Sequence, residues 1–296
     1  MTFTLFTETI KNEVARRFPF YEVTVEKKIK NNGLELTGIV INSSNPVTPT
    51  IYLDDYYSDY KNGREIQDIV DAISDQYRRN SSYSFDAAQV TDFSNVQSRL
   101  MLKLINTEMN KDLLSEIPNI KIMDLSVIFI IAVDNFGGRD GIASITVNNR
   151  MTSMWNVDTQ TLYELARDNT LRNLLPAINS MRNILSGLIA DDEMMLEIPN
   201  SDMFVTTNKK GIFGATALLF NDFLKQSSEL LGCSRMYVLP SSIHELIFIP
   251  ANDDLDVAEL SEMVTEINAT TVAAELRLSN NVYIYDSETD SVSIAS

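Results

Sequence analysis

The chain of 296 residues is 44% hydrophobic, enough for one or two cores of ordinary size, and its 24 Lys and Arg against 41 Asp and Glu leave a net charge of −17. The acid excess deepens from 11 basic and 14 acidic groups over 1–100, through 8 and 13 over 101–200, to 5 and 14 over 201–296. Nucleic-acid affinity rests on Lys and Arg displacing condensed counterions, so this balance argues against direct DNA or RNA binding.

A single cysteine, Cys233, has no partner for an intrachain disulfide and fits a reducing cytoplasm. Charged residues interrupt the apolar side chains of 1–18, so that stretch reads as an amphipathic helix and not as a signal peptide. The most apolar run, Leu125 to Val133, is far shorter than the roughly 20 residues of a membrane-spanning helix, and no membrane association is expected.

In chain order, Thr7 to Phe18 places Ile10, Val14 and Phe18 on one helical face, and Pro19 ends the helix. Alternation over Tyr21 to Ile29 and again over Leu34 to Ile41, around Asn31-Asn32-Gly33, predicts a hairpin. Asn42 to Pro49 reads as a loop and Thr50 to Leu53 as a short strand. Asp54 then opens a helical region that breaks at Asn62-Gly63 and resumes from Arg64 to Arg79. The polar stretch Asn80 to Ser84 is taken as a boundary.

Val96 to Thr107 has apolar residues at helical spacing and is expected to be a helix. Leu125 to Val133, almost continuously apolar, predicts a strand buried on both faces, returning after Gly137-Gly138 and Gly141 as Ala143 to Val147. Helices are expected from Asp158 to Asn169 and from Leu171 to Leu188, the second interrupted by Pro176.

The last third reads as strand Met203–Thr207, helix Phe213–Leu231 closed by Gly232, strand Arg235–Leu239, a turn at Pro240-Ser241-Ser242, strand Leu246–Ile249, helix Val257–Asn268 and strand Val282–Asp286. This β-α-β-β-α-β order is the split βαβ arrangement, with both helices expected on one face of an antiparallel sheet. The expected fold class is therefore α+β. It comprises an N-terminal α-β-β-β-α module over 1–84, a central β-hairpin with helices over 85–200 and the split βαβ module over 201–296, with a shared core over 85–296 as the alternative.

Three segments carry a resemblance: Thr50-Ile51-Tyr52-Leu53-Asp54-Asp55-Tyr56-Tyr57-Ser58-Asp59-Tyr60, Val238-Leu239-Pro240-Ser241-Ser242-Ile243-His244-Glu245 and Val264-Thr265-Glu266-Ile267-Asn268-Ala269-Thr270. They resemble an uncharacterised domain-of-unknown-function family of gut Firmicutes, often found on mobile or conjugative elements. The last third is more distantly similar to the YtpQ-like uncharacterised proteins of bacilli. The resemblance implies a bacterial cytoplasmic setting and brings no reaction, cofactor or site residue.

Candidate chemistry is sparse. Ser242 and the lone histidine, His244, lie two apart in a turn entering a predicted strand, where side chains at that spacing can share a face, which makes them the candidate catalytic pair of a hydrolase; no Gly-x-Ser-x-Gly elbow accompanies them. The competing reading gives both residues to the turn. Cys233 follows a helix C-terminus, where the negative end of the macrodipole disfavours the thiolate. One histidine and one cysteine do not make up a usual zinc set, Asp253, Asp254 and Asp256 read as a solvated loop before a helix, and neither metal nor cofactor is expected. Lys209-Lys210-Gly211 before a helix is a weak anion signal.

Asp55, Tyr56, Tyr57, Asp59 and Tyr60 form the most unusual local composition. Tyrosine is enriched at interface hot spots, so these residues are the candidate partner-binding or self-association surface. Packing of Tyr56 and Tyr60 as core is the alternative. The expected function is a non-enzymatic accessory or regulatory protein working through protein contacts, against a hydrolase or an acidic decoy for a DNA-binding protein.

Overall fold

The structure, a computed structural model, describes residues 1–42, 50–81, 90–133, 144–188, 202–252 and 255–296. Four features read from the sequence, the 42–49 loop, the 80–84 boundary, the 137–141 turn and Asp253-Asp254, fall wholly or largely outside these residues. The chain divides into two compact units, Met1–Asn95 and Val96–Ser296.

In the first unit α1 (Phe3–Arg17) is followed by β1 (Glu22–Ile29), β2 (Glu35–Asn42) and β3 (Thr50–Tyr52), then α2 (Asp54–Lys61) and α3 (Ile66–Ser81). Thr2 caps α1, its hydroxyl accepting the Leu5 N–H, so the helix starts a turn earlier than the apolar spacing suggested. The β1–β2 turn is tight because Asn32 and Gly33 both take positive φ, 62° and 69°. The sheet is antiparallel in the order β1-β2-β3. Val23, Ile39, Ile41 and Ile51 form a buried floor under Phe6, Ile10 and Val14 of α1 and Ile69, Val70 and Ile73 of α3. Full burial of each such side chain contributes about 1.5–3 kcal/mol, which makes this packing the main reason the short sheet is stable.

A short helix, α4 (Phe93–Val96), leads to β4 (Leu100–Asn106), α5 (Lys111–Glu116), β5 (Asn119–Ile122), β6 (Leu125–Ala132), β7 (Ser144–Thr146), α6 (Asn149–Trp155), α7 (Thr159–Asn173), β8 (Pro176–Ser180) and α8 (Met181–Leu188). Every residue of β6 is buried. It is paired along one edge with β4 and along the other with β5 and then β7, so its apolar run is that of a central strand.

The helix expected over Val96–Thr107 is instead largely the strand β4. Its apolar residues fit either period, and burial on both faces beside β6 favours the extended form. Asn169 and Thr170 of α7 serve the backbone around β4: Asn169 Nδ2 donates to the carbonyls of Gln97 and Leu100, and Thr170 Oγ1 accepts the Leu102 N–H at 2.9 Å. The second helix expected over Leu171–Leu188 is likewise split by β8, which starts on Pro176 at the edge of a sheet, where the missing N–H costs least.

The rest of the chain forms β9 (Phe204–Asn208), a 3-10 turn Gly214–Leu219, α9 (Asn221–Leu231), β10 (Arg235–Ser242), β11 (Glu245–Pro250), α10 (Val257–Thr270), β12 (Tyr283–Asp286) and β13 (Ser291–Ile294). With β8 these strands make a six-stranded antiparallel sheet, β13-β12-β10-β11-β9-β8. Thus β9 and β10 run parallel with β11 between them, and β11 and β12 with β10 between them, which is the split βαβ pattern. The fold class is α+β.

The two helices do not share a face of this sheet as expected. Leu260 and Val264 of α10 pack on Tyr237, Leu239 and Ile249, whereas Phe223 of α9 meets Phe248, whose neighbour across the ladder is Val238, on the opposite side. Both faces of β10 and β11 are apolar, so each needs a cover. Among the described residues no helix is long and apolar enough to cross a membrane.

Candidate functional site

The Ser242–His244 pair sits where β10 gives way to β11. The strand continues past Pro240 through an irregularity to Ser242, and the turn is made by Ile243 and His244, not by Pro240-Ser241-Ser242. Ser242 Oγ accepts the His244 N–H at 3.0 Å, which is the turn-capping role of a serine. The imidazole is directed elsewhere: Nδ1 accepts the Phe213 N–H at 3.1 Å, and the ring lies 5.8 Å from the Phe213 ring. An Nδ1 that accepts leaves the ring proton on Nε2.

Burial, and secondarily the charge of Lys103, hold the His244 pKa below its ordinary value, so the ring is neutral. Its carbonyl accepts the Gly214 N–H at 3.0 Å and the Thr207 hydroxyl at 2.8 Å. Phe213 takes φ 51°, and a Cβ on Gly214 would lie 2.3 Å from the His244 carbonyl oxygen. The serine and the histidine therefore tie β9, the 213–214 corner and the β10–β11 turn together.

The remaining reactive residues sit at helix ends and turns. Cys233 follows the left-handed Gly232 that closes α9, and burial pushes its thiol up. The Lys210 amide donates to Asn208 Oδ1, and Asn208 Nδ2 donates to the Ile212 carbonyl, so the basic pair belongs to a turn. Asp256 caps α10 through the Ala258 N–H. No cluster of three or more metal-binding side chains is present among the described residues.

In α2 the three tyrosines turn toward α1 and the core of their unit. Tyr57 lies 5.0 Å from Phe3 and 5.2 Å from Phe6, ring to ring, and its hydroxyl donates to the Met1 carbonyl. Tyr60 stands 5.5 Å from Phe6, and Tyr56 donates to Gln76 Oε1 of α3. Removal of the Tyr56 phenol from water raises its pKa. The acidic residues between them face outward: Asp55 is exposed and Asp59 pairs with Arg64 at 2.9 Å. Asp54 reaches back to accept the Thr37 N–H at 2.9 Å, fixing α2 against the sheet.

What the first unit does present is a strand edge. No strand pairs with the outer side of β1 among the described residues. The register with β2 is unbroken from Glu22 to Ile29, and Lys30 N donates to Leu34 O. Even-numbered residues of β1 therefore bond to β2, and Val23, Val25, Lys27 and Ile29 point their N–H and C=O outward. At the two ends of this edge Phe20 is 94% exposed, Tyr21 42% and Ile29 74%.

The model of a family of unknown function, DUF5688, matches residues 3–287. The chain belongs to the DUF5688 family. No curated protein and no solved structure matches it. Family membership covers both units of this DUF5688 chain and brings no reaction or ligand with it.

One constellation had no signal in the sequence. Asp124, in the β5–β6 turn, accepts Tyr283 OH on Oδ1 at 2.8 Å and the Ser279 hydroxyl and Asn281 amide on Oδ2 at 2.6 and 3.0 Å. Tyr283 is fully buried, and burial followed by the Asp124 charge drives its pKa far above the usual phenol range. The partners are more than 150 residues apart in the DUF5688 sequence, a separation that no local spacing can reveal.

Proposed function

We propose that this DUF5688 chain is a non-enzymatic accessory or regulatory protein of the cytoplasm that acts by protein contact, and that its contact surface is the outer edge of β1. The observation that carries the reading is the eight-residue edge with outward backbone groups, bracketed by exposed Phe20, Tyr21 and Ile29. A strand edge offers main-chain hydrogen bonds for affinity, and its side chains, here the charges of Glu22, Glu26, Lys27 and Lys28, restrict which strands can pair with it. The α2 tyrosines are a poorer surface because their rings and hydroxyls are engaged within the unit.

The commitment of His244 and Ser242 to backbone partners weighs against the hydrolase reading, since a serine nucleophile needs the imidazole as its own base. The test is a Lys27→Pro chain. The Lys27 N–H points outward, so proline removes an edge donor while leaving the β1–β2 ladder intact. Partner proteins retained by the wild-type chain in affinity purification from the native host are expected to be lost with Lys27→Pro at an unchanged circular dichroism spectrum. Equal retention by the two chains contradicts the reading.

A further inference from the structure

We propose that the occupant of the β1 edge is β1 of a second copy of this chain, paired antiparallel about Val25 so that two three-stranded sheets become one of six strands. This rests on the contact reading above and adds the identity of the partner. Val23, Val25 and Lys27 carry the outward N–H and C=O groups, so a two-fold axis at Val25 makes Val25 a hydrogen-bonded pair with its own copy and Val23 a hydrogen-bonded pair with Lys27 of the second copy.

The side chains agree with that register. Glu22 comes opposite Lys28 twice, once on each side of the axis, and Thr24 opposite Glu26. At the ends the register carries Tyr21, just before the strand, toward exposed Ile29 of the second copy. Neighbouring registers are less favourable. A shift of two residues in one direction sets Glu26 against Glu26 at the axis, while moving the Glu22 partner out to Lys30 beyond the strand end, and in the other sets Glu22 against Glu26 twice. A shift of one residue sets the outward N–H and C=O groups of one copy opposite residues whose own groups already bond to β2 in the other, so no ladder forms. A strand whose charges and apolar ends complement themselves about one point has the self-complementarity of an isologous interface.

The edge charges allow a test that does not depend on backbone disruption. Light scattering on the full-length chain across a concentration series is expected to give twice the chain mass at the high end, dissociating on dilution. Glu22→Lys and Lys28→Glu, each placing like charges opposite one another twice, are expected to weaken the dimer about tenfold, and Glu22→Lys/Lys28→Glu together to restore it. Lys27→Pro is expected to leave a monomer. A monomeric mass at every concentration, or a dimer indifferent to Lys27→Pro and to both charge changes, overturns self-pairing. If the wild-type chain is monomeric yet a different protein binds it and is lost with Lys27→Pro, self-pairing falls while the contact reading stands.

Discussion

Gly214 and His244 show how little freedom the β10–β11 turn has. Gly214 approaches both the His244 carbonyl and the Thr207 backbone, with Thr207 Cα 2.7 Å from where a Cβ would stand. Neither obstacle is the end of a flexible side chain, so Gly214→Ala is expected to destabilise the protein by about 1–3 kcal/mol, toward the upper end, measured by urea denaturation. His244 adds a pH dependence. Its folded pKa is depressed by burial and by Lys103, so below about 6.5 the unfolded chain takes up a proton that the folded chain refuses. Stability from this group is complete above about 6.5 and is lost as pH falls from there toward the folded pKa. His244→Asn can retain an acceptor for the Phe213 N–H without titrating, and its urea midpoint is expected to fall less over that pH window.

Among the elements, α2 illustrates a composition that looks like a binding surface and packs its partly buried tyrosines against a core. Tyr57→Ala removes the ring between Phe3 and Phe6 and the bond to the Met1 carbonyl. The expected cost is about 2 kcal/mol, below the ~3–5 kcal/mol of a fully buried aromatic, with the self-association constant unchanged once the chain is folded. A loss of association at full stability would return the contact surface to α2.

The legible elements were those with a single period and a clear stop. α1 ends before Pro19, β1 and β2 alternate around Asn32-Gly33, and α9 closes on left-handed Gly232. β4 and β8 were not legible as strands. β4 is apolar on both faces, which erases the alternation that marks a strand, and β8 is recognisable only from its place at a sheet edge. The division of α9 and α10 between opposite faces was equally hidden, because order along the chain does not say which face of β10 each helix covers.

For the whole molecule, the acidic balance points away from nucleic acid and the single histidine and cysteine away from zinc sets, and Ser242 and His244, singled out for catalysis, have structural hydrogen-bond partners. The Asp124 cluster, joining the β5–β6 turn to the segment 279–283, depends on chain segments that only tertiary folding brings together. The β1 edge, unpaired among the described residues, follows from strand order in the same way: alternation announces a hairpin but not which of its strands is left outermost. The function proposed for this molecule is thus a property of exposed backbone, with the side chains setting register.

Residue-resolved amide exchange along β1, followed by NMR at low and high protein concentration, tests that property most directly. The Thr24, Glu26 and Lys28 amides, bonded to β2, are expected to be protected at both concentrations, and the Val23, Val25 and Lys27 amides only at the high one. Rapid exchange of those outward amides at every concentration would contradict the account.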